Sequence, residues 1–276
     1  MEYKQISMMS YTIARGEWKK NKDIVELCRF TKELGLDAID WITTYDTEPK
    51  EVRRICDDFG IKTICYTFFT DINFPDKKSR QPGLNNIEKG IEIALILGTD
   101  KIMLPLTGKP GLTRDESRRN CIEGLKDAIL IAQKYNVAIT LEHFPQHTAP
   151  FIISSDMDEA IKEIPDLKIT YDPGNMVTGG EDPVEGYTKS KNYIAHTHFK
   201  DWVLDDVNGR IGADGKHYKA ALTGEGILDY PAIVKIMSED NYKGYINFEY
   251  EGSEYTPEEA MIKGVKYLKN LFETIK

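Results

Sequence analysis

Four residues able to bind a metal ion stand at the ends of apolar segments. Glu142 closes Ile139-Thr140-Leu141, Asp172 closes Ile169-Thr170-Tyr171, His198 closes Ile194-Ala195-His196-Thr197, and Glu249 closes Tyr245-Ile246-Asn247-Phe248. A short apolar or alternating run that stops on a charged residue is how a parallel strand delivers a side chain to its carboxyl end. Taken singly, Glu142 or Asp172 reads as a helix cap or a solvated loop residue. Taken together in one barrel, three carboxylates and an imidazole would converge on one rim, where they repel one another unless a cation holds them. Hard oxygen donors with one imidazole suit manganese or magnesium, with cobalt or zinc as substitutes.

Neighbouring residues are sorted by the period of a strand. His196 lies two residues before His198 and points to the same side, so it sits deeper, as a hydrogen-bonded core residue. His143 adjoins Glu142 and faces the other side. Glu251 competes with Glu249, but the apolar neighbours of Glu249 place it in the strand and leave Glu251 beyond the end.

The elements that must position these residues recur along the whole chain. Strands are expected at Ile6 to Tyr11, Ala38 to Ile42, Ile61 to Phe68, Lys101 to Leu106, Val137 to His143, Leu167 to Tyr171, around Ile194 to Phe199, and Gly244 to Tyr250. Helical apolar spacing lies between them, as at Leu27, Cys28, Thr31 and Leu34, or Ile122, Leu125, Ile129 and Ala132. Gly35 and Gly60 stop helices, Thr113-Arg114-Asp115-Glu116 has the form of a capping box, and Thr256-Pro257-Glu258-Glu259 opens the last helix. About eight strand-helix units without a low-complexity linker predict an α/β fold, a single (β/α)8 TIM barrel occupying residues 1–276 as one domain. An open dinucleotide-binding sheet lacks its Gly-rich first turn here. Two loops are long enough to act as lids over the site, Thr70 to Pro82 and the insertion Trp202 to Leu222.

Composition limits the classes of function. The 276 residues are 41% hydrophobic and 29% charged, and no apolar run reaches the roughly 18 residues that span a bilayer. The formal charge of −9 argues against nucleic acid and anionic membranes as partners. The N-terminus carries no secretory pattern, so a cytoplasmic location is expected. The four cysteines, Cys28, Cys56, Cys65 and Cys121, lie far apart in apolar settings and read as free thiols.

The succession Glu142, Asp172-x-x-Asn175, His196-x-His198-x-Lys200-Asp201, Gly224-x-Gly226-x-x-Asp229 and Glu249 resembles the xylose isomerase-like barrel superfamily of sugar and sugar-phosphate isomerases and epimerases. That resemblance implies one divalent metal, most often manganese, held by Glu142, Asp172, His198 and Glu249. It also implies a small carbohydrate substrate, and it leaves a homo-oligomer open. In the 3-epimerases of the group the two metal-binding glutamates also exchange the proton, which assigns the catalytic roles to Glu142 and Glu249. An enediolate stabilised by the metal makes the carbon next to a ketone acidic enough for such exchange.

Asn175, Lys200, Trp202 and His217 are then candidate substrate contacts, with Lys200 as an electrostatic anchor and Trp202 as an apolar wall. Epimerases of free ketohexoses carry a histidine where Asn175 stands, a glutamate at Thr148 and an arginine at Leu204, so their substrate clamp is absent. Pentulose-phosphate 3-epimerases are nearer, but Lys219 replaces an arginine of theirs. A keto-inositol dehydratase that shares the Lys-Asp pair is the alternative. An endonuclease IV-like nuclease lacks its extra histidines here, and a catalytically inactive sugar-binding barrel fits poorly with two retained glutamates.

Overall fold

The computed structural model describes residues 5–275. Among the described residues eleven strands occur in chain order: β1 (Ile6–Met9), β2 (Ala38–Ile42), β3 (Lys62–Thr67), β4 (Lys101–Leu104), β5 (Ala138–Glu142), β6 (Lys168–Tyr171), β7 (Ile194–Phe199), β8 (Asp201–Leu204), β9 (Arg210–Ile211), β10 (His217–Ala221) and β11 (Ile246–Phe248). Eight of them close a barrel in the order β1-β11-β7-β6-β5-β4-β3-β2. Every pairing within it is parallel. The helices Ile24–Glu33, Pro49–Phe59, Lys77–Leu97, Arg114–Tyr135, Ser154–Glu163, Pro183–Ser190, Tyr230–Glu239 and Pro257–Thr274 each follow one barrel strand, as a (β/α)8 barrel requires.

Local chemistry accounts for these boundaries. Gly60 ends its helix in the left-handed region at φ 61°, which costs glycine little. Thr113 with Glu116 forms the capping box that the sequence announces, and the Thr256 cap expected for the last helix is closed by Glu259 as a second one. The last helix lays Met261, Val265 and Leu268 into the core, where fully burying each side chain contributes about 1.5–3 kcal/mol. It approaches so closely that a Cβ on Gly264 would stand 1.9 Å from the Phe248 ring. This contact seats β11, and with it the Glu249 that follows.

Three expectations change. The first strand stops at Met9 and a short helix, Ser10–Ala14, follows directly. The expected loop Thr70 to Pro82 ends early, because Asp76 caps a helix that begins at Lys77 and carries Pro82 inside it. What remains is tied down: Ile72 is fully buried, Thr70 Oγ1 donates to the Gly83 carbonyl at 2.9 Å, and Lys109 Nζ donates to the Asn73 carbonyl at 2.9 Å. A segment anchored in this way does not match the lid expected of it. The insertion after β7 is ordered too, as the antiparallel sheet β8-β10-β9. Among the described residues, no helix is long and apolar enough to cross a membrane. The four cysteines are buried and free.

Candidate metal centre

The carboxyl ends of β5, β6, β7 and β11 bring one ligand atom each from Glu142, Asp172, His198 and Glu249 to within 4.8 Å of one another. His198 Nδ1 lies 2.7 Å from Glu142 Oε1 and 3.2 Å from Glu249 Oε2. Asp172 caps the short helix Pro173–Val177: Oδ1 accepts from the Asn175 N–H at 2.9 Å, while the buried Oδ2 has no hydrogen bond. The cap and the candidate ligand are therefore one residue, with one oxygen used by the cap and the other turned to the cluster. All four side chains are buried.

Lys200 stands among these acids, its Nζ 3.2 Å from Asp172 Oδ2, 3.0 Å from Glu249 Oε2, 3.6 Å from Glu142 Oε1 and 2.9 Å from Glu251 Oε1. Burial opposes its charge, but the acids Asp172, Glu249, Glu251 and Glu142 raise its pKa well above that of an ordinary lysine. Burial likewise raises Asp172 well above the usual carboxylate range, against the pull of Lys200. Glu249 goes the other way: burial raises it, yet Lys200 and His198 bring it down to about 2.

This donor set fits a divalent cation. Glu142, Asp172 and Glu249 are buried together with one ligand atom each within 4.8 Å of His198, and burying such a set of carboxylates is less costly with a cation among them. Asp172 Oδ2 and Glu249 Oε2 are buried and share one ammonium, Lys200 Nζ at 3.2 and 3.0 Å, which leaves both oxygens with lone pairs that a metal could take. Oxygen ligands with one imidazole match manganese or zinc better than a thiolate-seeking metal.

Above the cluster opens a cavity of about 250 Å³, lined by Glu142, His198, Lys200, Glu249, Glu251 and Arg210 with Tyr11, Phe69 and Phe144 as apolar walls. Arg210, from the β8-β10-β9 insertion, donates to Glu251 Oε2 at 3.2 Å and stacks 4.1 Å over the Trp202 ring. The insertion therefore overhangs the site, as its length suggested, whereas no residue of Thr70 to Pro82 lines the cavity, and Phe69 just before that segment does.

The remaining candidates are spread out. Lys200 is in the cluster. Asn175 is fully buried behind Asp172, and its side-chain oxygen and nitrogen both lack a partner. Trp202 is off the cavity wall: it is buried beneath Arg210, so the guanidinium rather than the indole faces the opening. His217 is also off the wall: it stands on β10 opposite Ile211 of β9, and only Arg210 of that sheet reaches inward. Lys219 pairs with Glu254 at the surface. Glu251, expected beyond the strand, does lie there and bridges Lys200 and Arg210.

Two residues behind the cluster complete it. Asp40 Oδ2 is 3.0 Å from His198 Nε2 and 2.7 Å from His196 Nε2. Burial works against its charge, but hydrogen bonds from both histidines hold Asp40 well below the usual carboxylate range. Burial brings His196 down to about 4, against the pull of Asp40. On the far side of the sheet His143 is likewise brought down to about 4 by burial, and its Nδ1 accepts from the Asp172 N–H at 3.4 Å. Sequence reasoning passed over Asp40, although an acid between Ile39 and Trp41 inside an apolar strand is a signal. Arg210 left no such signal in its Asp- and Gly-rich segment.

The family model described as a xylose isomerase-like TIM barrel matches residues 28–271. The chain belongs to that family. A curated relative, the inosose dehydratase of Clostridium tetani (strain Massachusetts / E88), is 24% identical over 181 residues, which are 61% of this chain and 59% of that protein. The chain thus spans between about half and three-fifths of the length of the curated relatives it matches. Among solved structures, an L-ribulose 3-epimerase superposes with a TM-score of 0.80 at 14% identity, over 99% of this chain and 96% of the other. The IolI protein with a bound zinc atom gives 0.79 at 17% identity, over 99% of both chains. At such identities these two likenesses concern the fold of this xylose isomerase-like barrel alone.

Proposed function

We propose that this xylose isomerase-like barrel is a divalent-metal enzyme that exchanges a proton next to the carbonyl of a sugar-like ketone. The best single reading is a ketose or ketose-phosphate 3-epimerase with manganese as its metal. The observation that carries it is the meeting of Glu142 and Glu249 on His198 Nδ1, at 2.7 and 3.2 Å, at the floor of the cavity. They arrive from β5 and from the end of β11, with β6 and β7 between them, so they approach the site from different directions.

Glu142, Asp172, His198 and Glu249 would hold the ion, which supplies Lewis acidity toward adjacent substrate oxygens. The protein's own part is proton transfer and positioning. One glutamate takes the proton from the carbon, and the other returns a proton to the opposite face, with no net oxidation. Lys200 holds a positive charge beside the developing enediolate oxygen. Tyr11, Phe69 and Phe144 wall the cavity and limit water at the reacting carbon.

A second reading, an inosose-dehydratase-like lyase, is supported by the name of the Clostridium relative. It shares the proton abstraction and differs in the fate of the intermediate, which expels hydroxide as water instead of being reprotonated. Incubating the manganese-loaded protein with ketoses, ketose phosphates and inososes in deuterated water separates the two. Deuterium next to the carbonyl with a new epimer supports the epimerase, and loss of water with a conjugated or diketone absorbance supports the lyase. Neither exchange nor water loss with any of these substrates would overturn both.

A further inference from the structure

We propose that Asp40 is a positioning residue of the metal centre: it fixes His198 with Nδ1 turned to the carboxylate cluster and Nε2–H turned into the barrel, and His196 holds Asp40 in place to do so. This rests on the reading of Glu142, Asp172, His198 and Glu249 as metal ligands.

The geometry is specific. A neutral imidazole carries one N–H, and the group facing one ring nitrogen decides which nitrogen keeps its lone pair. His198 Nε2 faces Asp40 Oδ2 at 3.0 Å, while Nδ1 faces the acid cluster, 2.7 Å from Glu142 Oε1; with a cation among those acids Nδ1 turns its lone pair to the ion and Nε2 keeps its hydrogen for Asp40. The same Asp40 oxygen takes His196 Nε2 at 2.7 Å, while Oδ1 accepts from Thr67 Oγ1 at 3.0 Å. The Asn247 amide adds a contact at 3.5 Å to Oδ2. Asp40, His196, His198, Thr67 and Asn247 are all buried.

The backbone is shaped around this arrangement. The β2–β3 register shifts between Ile39 and Asp40, and the β6–β7 register shifts so that Thr170 faces His196 and skips Ala195. Such irregularities re-aim side chains. The skipped Ala195 carbonyl is not left bare, since Lys101 Nζ donates to it at 2.7 Å.

A purely structural account does not explain the carboxylate. An asparagine has nearly the same shape, and its oxygen could accept from both histidines while its amide met the Thr67 hydroxyl. Burying a full charge is far costlier than burying an amide. What only the carboxylate adds is a negative charge on the far side of a metal-binding imidazole, which makes Nδ1 a stronger donor and locks its direction.

The test is Asp40→Asn in the full chain, with manganese and cobalt binding followed by calorimetry and the visible spectrum of the cobalt form. Partners of this kind typically contribute 10–100-fold to metal affinity, so that loss is expected, with a shifted cobalt spectrum and little change in the metal-free Tm. An Asp40→Asn protein that binds both metals within about twofold of wild type, with the same spectrum, overturns the proposal and leaves the proposed function standing. Wild-type protein that binds no divalent ion overturns both. Two ions per chain, one lost with Asp40, would mean a second metal site at Asp40, His196 and His198 and would also overturn it. Should Asp40→Asn fail to fold, 15N spectra of the 113Cd-loaded wild type decide. Coupling of cadmium to His198 Nδ1 with a protected Nε2–H supports the proposal, and coupling to Nε2 refutes it.

Discussion

Gly226 lies so close to Asp201 that a Cβ on the glycine would stand 2.1 Å from Asp201 Oδ1. The reason is a set of backbone hydrogen bonds: Asp201 Oδ2 accepts from Gly224 N at 3.0 Å and Gly226 N at 3.1 Å, and Oδ1 from Trp202 N at 2.9 Å and Leu228 N at 3.3 Å. The adjacent Lys200 and Asp201 thus divide their tasks. The lysine enters the cluster of Glu142, Asp172 and Glu249, and the aspartate ties the Gly-x-Gly turn to the chain just after β7.

Removing either half of that contact should destabilise the whole barrel. Asp201→Ala leaves four backbone donors with one acceptor fewer each, and an unsatisfied buried donor costs about 1–3 kcal/mol. Gly226→Ala forces the turn away from the carboxylate. Each variant should lose on the order of 3 kcal/mol in urea unfolding with an unchanged slope. A midpoint within experimental scatter of wild type for Asp201→Ala would show that the turn holds without it.

Metal removal is expected to lower Tm. An ion that binds only the folded chain at about 100 times its Kd adds about 2.7 kcal/mol, and for a chain of this size each kcal/mol moves Tm by about 2–4 °C. Scanning calorimetry with EDTA and with excess manganese should therefore differ by roughly 5–10 °C. Identical melting curves in the two buffers would contradict a structural role for an ion.

Lys200 offers a sharper test, because its ammonium is the countercharge to Asp172, Glu249, Glu251 and Glu142. Removing one partner of a buried ion cluster typically costs about 3–5 kcal/mol. Lys200→Met should consequently lower the Tm of the metal-free protein on the order of 10 °C, and manganese should recover more of that loss than it adds to wild type. A metal-free variant that melts with wild type would mean that the acids hold protons in place of the lysine's charge.

How much of this was legible in the sequence follows from what each signal encodes. Strand ends such as Leu141-Glu142 and Phe248-Glu249 declare themselves, because apolar alternation stops on an acid, and the capping boxes at Thr113 and Thr256 are local chemistry. The helix at Lys77–Leu97 misled because Pro82 reads as a breaker, while the cap that starts the helix, Asp76 on Ser79 N, lies outside the apolar pattern. For Trp202 and His217, residue type alone points to the substrate. Which face of β8 and β10 turns inward depends on hairpin pairing over a dozen residues, and that pairing gives the wall to Arg210. Asp40 joins His198 across 158 positions of sequence, a partnership only barrel closure creates.

The last expectation concerns Glu142 and Glu249. Each is a candidate ligand within 3.2 Å of His198 Nδ1 and also lines the cavity, so each is placed both to hold the ion and to face the reacting carbon. Glu→Gln at either position keeps a weaker oxygen donor and removes the base, so turnover should fall further than metal affinity. General acid/base catalysis is worth about 10²–10⁴-fold, and a loss of at least that size is expected in each variant under saturating manganese. In a two-base epimerase one variant keeps the base for one face of the substrate. It should still wash deuterium into the epimer that this base serves while failing to convert it to the other. In a lyase the two variants would instead divide between lost proton abstraction and lost water expulsion, with exchange persisting only in the second. Turnover near the wild-type level in either glutamine variant, at confirmed metal occupancy, would take that glutamate out of the chemistry and leave it a ligand alone.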